Sequence, residues 1–248
     1  ANERQKYFYE GILFYSSKQN WEDLERSVLL KVPYGFESHE CVKRKSNKDE
    51  KLRLLWYGAF YPWYDPCYLT EVVKNNPGIE LTFFGAQHPR YRNYFLALSK
   101  EFDFTGSNIK LVQEYSLNDP VDLFSNFDAC IMIARNWVED KYSHRVRTLE
   151  VVNRGMPLIL SHGNSLLEEY PFLSSHVIPV HNKELATELE AVRLNKDLIF
   201  NKQKITDSLA LLHKNYSWAK VVEPLTAILL EGIAVTEKSL ACVPLIKI

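Results

Sequence analysis

Two acids and a cluster of basic residues share one short stretch of the chain. In order, the stretch contains Glu139, His144, Arg145, Arg147 and Glu150. Arginine side chains can bind phosphate oxygens through two parallel hydrogen bonds, and a carboxylate can accept hydrogen bonds from sugar hydroxyls. Positive charge and an acid at a helix start, next to a parallel strand, therefore suit a nucleotide diphosphate.

Further polar residues and glycines follow the predicted strands: Gly58, Asp65, Gly85, His88, Gly163, Asn164 and Ser165. Glycine permits a tight turn and a close approach of the backbone to phosphate. The backbone N–H groups of residues 163–165 could bind phosphate as well. Alternatively, Ser165 is only the N-cap of the next helix, with Glu168 completing a capping box.

Short apolar runs alternate with helical stretches from residue 52 onward. The predicted strands are Leu52–Tyr57, Ile79–Phe84, Ile109–Gln113, Ala129–Ala134, Pro157–Ser161 and His176–Val180. The predicted helices are Tyr68–Asn75, Pro89–Phe102, Asp119–Phe127, Arg145–Arg154 closed by Gly155, Leu166–Tyr170, Lys183–Leu194, Lys196–Asn215 and Trp218–Glu231. Before them we expect a helix at Glu3–Tyr15 and a strand at Ser27–Val32.

Continuous apolar strands separated by helices of crossover length indicate an α/β fold. We expect a Rossmann-like, doubly wound parallel sheet with helices on both faces, followed by C-terminal helices. In such sheets the ligand lies outside the carboxyl ends of the strands. The candidate residues that follow the strands would then meet at one edge of the sheet.

Composition narrows the function classes. The chain has 248 residues, a net charge of −1 and four scattered cysteines without a C-x-x-C pair, so we expect neither nucleic-acid binding nor a metal site or disulfide framework. No apolar run reaches the roughly 18 residues of a membrane span. The basic stretch Cys41–Lys51 is interpreted as a solvated loop at a domain boundary, and it leaves a peripheral membrane contact open.

Several segments together resemble the C-terminal half of GT-B-type glycosyltransferases, in the group that includes glycosyltransferase family four. The similarity is to bacterial enzymes of polysaccharide and glycan assembly. It is carried by LRLLWYGAFYPWYDP (Leu52–Pro66), LTFFGAQHP (Leu81–Pro89), the ordered features from Glu139 and Tyr142 through Arg145–Arg147 and Glu150 to Gly155–Pro157, Gly163–Asn164, and YSWAKVVEPL (Tyr216–Leu225). The first helix resembles the end of an acceptor-binding domain, so the chain is expected to be a fragment.

This resemblance implies a domain division and roles for individual residues. Residues 1–34 would be the remnant of the preceding domain, 35–230 the nucleotide-sugar donor-binding domain and 231–248 a tail. Glu139 and Arg145 would act in catalysis, with Glu139 facing the donor sugar and Arg145 the pyrophosphate. Glu150 would accept the ribose hydroxyls, and Arg147 and His144 would assist in donor binding. Glu150 could instead be a surface residue paired with Arg147 or Arg154.

The implied reaction transfers a sugar from a nucleotide diphosphate sugar to an acceptor hydroxyl, with retention and without metal or cofactor. A glycan, lipid-linked or protein acceptor would be bound mainly by a missing N-terminal domain. The expected location is the cytoplasm, including the inner face of the membrane. Two alternatives remain at this stage: a nucleotide-sugar epimerase on the same scaffold, and a non-catalytic module that kept the fold and binds a partner.

Overall fold

Six parallel strands form one sheet at the centre of the protein. The structure is a computed structural model that describes residues 4, 6–9, 12, 33–39, 41–43, 50–86, 91–112, 123–135, 146–163 and 165–230. The strands are β1 (Leu52–Tyr57), β2 (Ile79–Phe84), β3 (Ile109–Val112), β4 (Ala129–Met132), β5 (Leu158–Ser161) and β6 (Val177–Val180). Their order is β3-β2-β1-β4-β5-β6, and the predicted Rossmann-like fold is confirmed.

The strands read as apolar runs because both faces of the sheet are covered. Leu54 in β1 pairs with Leu81 on one side and with Ala129 on the other, and all three are fully buried. Pairing β1 with β4 also brings Asp128 against Arg53. The Asp128 carboxylate accepts hydrogen bonds from the Arg53 backbone N–H (2.8 Å) and guanidinium (2.9 Å), which fixes the relative position of the two central strands.

Eight α-helices lie in the described part of the chain after residue 50. They are α1 (Pro66–Lys74), α2 (Arg92–Glu101), α3 (Val146–Asn153), α4 (Leu166–Glu169), α5 (Leu185–Leu194), α6 (Lys196–Ile199), α7 (Lys202–Tyr216) and α8 (Trp218–Leu230). Two short 3-10 helices occupy Pro171–Ser175 and Asn182–Glu184. Arg4, Lys6–Tyr9 and Ile12 are also helical, as predicted, and the predicted strand at 27–32 lies outside the described residues.

The prediction of one helix over Lys196–Asn215 is wrong. The helix is interrupted between α6 and α7, where Phe200 is buried in the core at 3% exposure. Asn201 begins the second helix, because its side chain accepts a hydrogen bond from the Lys204 backbone N–H at 3.1 Å. Burial of the Phe200 ring and capping of α7 by Asn201 thus stabilise two helices in place of one continuous helix.

Three other expectations are corrected. Ser165 is not a side-chain N-cap: its backbone is helical and no capping hydrogen bond forms. The predicted helix ending at Phe127 already ends at Phe124 and is followed by a turn. The basic stretch from Cys41 does not begin as a solvated loop. Val42 is buried, and its backbone N–H donates to the carbonyl of Arg154 at 2.9 Å.

The segment before the sheet packs against the last helix. The Trp218 indole occupies the space where a Cβ on Gly35 would lie, 2.3 Å from an indole carbon. The Trp218 and Tyr34 rings are 5.5 Å apart, and the Phe36 N–H donates to the carbonyl of Tyr216 at 2.8 Å. Within the described residues, no helix combines the length and apolar character needed to cross a membrane.

A buried histidine makes stability depend on pH. His176 is fully buried, its Nδ1 lies 3.1 Å from both the Ser175 and Ser208 hydroxyls, and burial lowers its pKa from 6.5 to about 4. The unfolded chain therefore binds a proton more readily than the folded chain between these values. This contribution to stability is complete above pH 6.5 and is lost as the pH falls.

We expect the free energy of unfolding to fall by about 2 kcal/mol between pH 6.5 and 5 from this residue. Urea unfolding at several pH values would measure the slope, which should flatten in His176→Gln. An unchanged slope in His176→Gln would contradict the assignment.

Two glycines with positive φ allow a second stability test. Gly155 ends α3 at φ +68°, and a Cβ there would lie 2.5 Å from Cys41 Sγ and 2.9 Å from a Leu209 methyl. Gly163 has φ +92° with nothing within 4 Å of the same position. Gly163→Ala should cost only the backbone strain of about 1 kcal/mol, whereas Gly155→Ala adds overpacking and should cost about 2–4 kcal/mol. Equal losses in denaturant unfolding would show that packing around Gly155 is irrelevant.

Candidate functional site

The strand order reverses between β1 and β4, at the middle of the sheet. From β1 the chain moves outward to β2 and β3, whereas from β4 it moves outward to β5 and β6. Doubly wound sheets bind their ligands at the carboxyl edge beside such a reversal. Three backbone contacts join the turn after β1 to the end of β4: Tyr64 bridges Ala134, the Asp65 N–H donates to Ile133 O (2.8 Å), and the Arg135 N–H donates to Trp63 O (2.9 Å).

The Arg147 side chain is seated on the turn that follows β1. Arg147 lies in the first turn of α3, and its Nη1 donates to the carbonyl of Ala59 at 3.2 Å. Its guanidinium carbon is 5.2 Å from the centre of the Tyr61 ring and 5.8 Å from that of Tyr64, within the range of cation–π attraction. The sequence placed Arg147 near the strand ends but gave no sign of this aromatic seat.

Gly58 leaves the space that the Arg147 guanidinium occupies on the turn after β1. It has φ +107°, and a Cβ there would lie 2.3 Å from the Arg147 guanidinium carbon. A side chain would displace the guanidinium in addition to straining the backbone. Gly58 and Arg147, predicted separately as members of one site, are therefore in direct contact.

Glu150 lies one helical turn after Arg147 on α3 and is half-buried. Among the residues that the structure describes, its carboxylate forms no hydrogen bond or ion pair, so the alternative pairing with Arg147 or Arg154 is wrong. Burial first, and the Glu150 charge second, raise the pKa of Tyr34 and of the buried Cys130. The carboxylate therefore acts electrostatically on both the 33–39 segment and β4.

Asp65 has a local role that the sequence did not predict. Its carboxylate caps α1 by accepting from the Tyr68 backbone N–H at 3.3 Å. It also lies 3.7 Å from Nε of Arg135, a residue that sequence reasoning left out of the site. Arg135 directly follows the apolar run of β4, and that position was the available signal. At 39% exposure, its side chain adds a second guanidinium to the carboxyl edge.

Aromatic rings support the turn from outside. Tyr61 stacks on Trp63 with ring centres 4.7 Å apart and an angle of 8° between the rings, and it meets Tyr91 edge-on at 4.3 Å. One face of the Trp63 indole is thus occupied by Tyr61. The stack braces the ring on which Arg147 rests.

The remaining candidates lie at neighbouring strand ends or outside the described residues. Gly85 follows β2 with φ +79°, and Gly163 follows β5. Ser165 is buried, and its carbonyl accepts from the Glu169 N–H at 3.2 Å. His88, Glu139, His144, Arg145 and Asn164 lie outside the described residues. The structure brings Gly58 into contact with Arg147 and Asp65 into contact with Arg135, and Glu150 follows Arg147 by one turn on α3.

Two permanent positive charges, Arg135 and Arg147, thus lie at the carboxyl edge of the sheet, and α3 also carries the Glu150 carboxylate. The guanidinium groups of Arg135 and Arg147 can bind an anion with several oxygens, such as a diphosphate. The positive end of the α3 dipole favours the same charge, since Arg147 lies in its first turn. Glu150 can accept hydrogen bonds from vicinal hydroxyl groups of the same ligand.

No protein-family model matches the sequence, and no curated protein matches it. Solved structures are similar in fold. Sucrose-phosphate synthase from Thermosynechococcus elongatus aligns with a TM-score of 0.58 and 13% identity, over 83% of this chain and 53% of that chain. A mutant of TarM from S. aureus, crystallised with fondaparinux, α-GlcNAc-glycerol and UDP, aligns with a TM-score of 0.58 and 10% identity, over 84% of this chain and 41% of that chain.

Alr3699/HepE from Anabaena, in complex with UDP-glucose, aligns with a TM-score of 0.53 and 13% identity, over 79% of this chain and 56% of that chain. At these identities the similarity shows the fold alone, which matches that of GT-B glycosyltransferases. The chain spans about half the length of these proteins.

The contact between Gly58 and Arg147 can be tested by a double-mutant cycle on stability. Gly58→Ala alone should cost about 2–3 kcal/mol, because it strains the backbone and expels the guanidinium. In an Arg147→Ala background only the strain of about 1 kcal/mol should remain, so the two substitutions couple by at least about 1 kcal/mol. Denaturant unfolding of the four proteins measures this.

The matched control is Gly163→Ala in the same cycle with Arg147→Ala. No atom lies near a Cβ at Gly163, so the two effects should add. If the effects of Gly58→Ala and Arg147→Ala were additive as well, the contact between Gly58 and the Arg147 guanidinium would be contradicted.

Proposed function

We propose that this chain binds the nucleotide diphosphate sugar donor of a glycosyltransferase, as the donor half of a GT-B enzyme resembling family four. The observation that carries the proposal is the pair on α3: a seated Arg147 guanidinium and, one turn later, the Glu150 carboxylate without a partner in the described residues. Their helix connects β4 to β5, next to the strand reversal beside which Rossmann-like sheets bind ligands.

Arg147 is suited to the diphosphate. Negative charge builds up on the leaving diphosphate when the sugar bond breaks, and a cation already held in position stabilises that charge with little reorganisation. The Ala59 carbonyl and the Tyr61 and Tyr64 rings hold the guanidinium in this way. Arg135 would reach the same phosphates by exchanging its contact with Asp65 for one with the ligand.

Glu150 is suited to the ribose. It lies three residues after Arg147, about 4.5 Å further along the helix axis. A diphosphate bound at Arg147 therefore places the attached ribose towards Glu150, whose oxygens can accept hydrogen bonds from two hydroxyls. A half-buried carboxylate gains from such partners, because it has already lost part of its hydration.

The similar structures support a uridine nucleotide as the first donor to test. TarM was crystallised with UDP, and Alr3699/HepE with UDP-glucose. We propose transfer with retention and without a metal, with Glu139 and Arg145 taking part in catalysis beside His144, as the resemblance implies. A glycan, lipid-linked or protein acceptor would bind mainly to a further domain, and His88, Asn164 and the glycine turns would complete the donor site.

Calorimetric titration with UDP, GDP, dTDP and CMP tests the proposal. One nucleoside diphosphate should bind, and Arg147→Ala and Glu150→Ala should each weaken it about 10- to 100-fold, since each removes charge-assisted hydrogen bonds. The matched controls are Arg193→Ala and Glu190→Ala. These residues pair at 2.6 Å beside Gly78, at the opposite edge of the sheet, and should leave affinity within about twofold.

Failure of a folded sample to bind any nucleotide would reject the donor-binding proposal for this chain and favour a partner-binding module. Binding that survives both α3 substitutions would place the nucleotide elsewhere. An epimerase would bind the same nucleotides, but incubation with the nucleotide sugar alone would then yield an isomer of the donor. We expect the donor to remain unchanged in that incubation.

A further inference from the structure

A histidine and two glutamates converge at the carboxyl end of β6, away from Arg147. One ligand atom from each of His181, Glu184 and Glu188 lies within 4.8 Å of the other two. We propose that these three side chains form a binding site for a divalent transition-metal ion, with zinc as the best match to the donor set. This site is separate from the proposed donor site, where no metal is expected.

The spacing His-x-x-Glu-x-x-x-Glu explains why the three side chains meet. His181 directly follows β6. Glu184 is the last residue of the 3-10 helix Asn182–Glu184, and Glu188 lies in the first turn of α5. Zinc binds histidine nitrogen and carboxylate oxygen at about 2.0–2.2 Å, so tetrahedral ligand atoms lie roughly 3.3–3.6 Å apart. Rotations of exposed side chains by about 1 Å bring the group to that geometry.

Glu188 is already oriented. Its Oε2 accepts the His181 backbone N–H at 2.8 Å, and its Oε1 lies 3.1 Å from His181 Nδ1. A metal ion would take the place of the hydrogen between Nδ1 and Oε1, with the imidazole in its Nε2–H tautomer. The backbone bond to Oε2 would remain and hold the ligand, as outer-shell contacts do in metal sites.

The residue after His181 is anchored to two strand ends and to helix α1. The Asn182 amide donates to the carbonyl of Ala134 at 2.6 Å and accepts from the Ser161 hydroxyl at 2.9 Å, and the Tyr68 hydroxyl donates to the Asn182 carbonyl. The His162 ring stacks on His181 at 4.4 Å and 17°, which restrains the ligating imidazole. Such support lowers the entropy cost of arranging the ligands.

The hydrogen bonds to His181 explain the orientation of Glu188, but they do not explain why Glu184 lies beside it. The hydrogen bonds at His181 need only one carboxylate, and Glu188 supplies it. The Glu184 carboxylate forms no hydrogen bond or ion pair with any residue that the structure describes, yet it lies within 4.8 Å of the Glu188 carboxylate. Two carboxylates this close repel each other, and a cation between them removes the repulsion.

Titration of the metal-free full chain with ZnCl₂, followed by calorimetry and metal analysis, tests the site. We expect one zinc ion per chain in this site, with affinity lowered at least about tenfold by His181→Ala and by Glu184→Gln. Glu184→Gln leaves the Glu188 cap intact, so its effect is not a folding effect; circular dichroism checks the fold of both variants.

The matched control is Glu223→Gln, which removes an exposed carboxylate paired with Lys220 on α8 and should leave zinc binding unchanged. Absence of zinc binding to the wild-type chain overturns the proposal. Unchanged affinity in both His181→Ala and Glu184→Gln overturns it too, because the zinc would then be bound elsewhere. No nucleotide enters this experiment, so its outcome is independent of the donor-binding test.

Discussion

The pairing of β1 with β4 is the contact on which the rest of the structure depends. These strands are far apart in sequence, and β4 joins the sheet on the free side of β1. The Asp128 carboxylate fixes the pair at one end by binding both the backbone and the side chain of Arg53, and the bridge between Tyr64 and Ala134 fixes it at the other. The same pairing reverses the strand order and brings the turn after β1 against Arg147 of α3.

Much of the sheet could be predicted because each central strand is buried on both faces. β1 and β2 match the predicted limits, and glycine with positive φ follows each of them. Prediction failed where a tertiary contact overrode a local pattern. The pattern over Lys196–Asn215 is helical throughout, but the core accepts Phe200 only if the helix breaks. The sequence around Ser165 fits a capping box, but its backbone is itself helical, a conformation from which its side chain does not cap.

Some features of the candidate site could likewise be predicted from the sequence, and others could not. Gly58, Arg147 and Glu150 could be identified from their positions at strand and helix ends, because parallel strands bring such positions to one edge. Three features could not: the Tyr61 and Tyr64 rings under the guanidinium, the use of Asp65 to cap α1, and the contact of Arg135 with it. The cluster at His181 has no histidine or cysteine pair to mark it, because two of its three members are glutamates on the following helices.

The indole of Trp218 fills the space left by Gly35 and lies against Tyr34, whose hydroxyl group feels the charge of Glu150. The last helix and the acid proposed to hold the ribose thus share a neighbour, although neither is near the other in sequence. Any force that lifts α8 from the 33–39 segment would move that phenol and alter the electric field at Glu150. The position of α8 therefore influences the charge environment of the carboxylate that we propose as the ligand of the ribose.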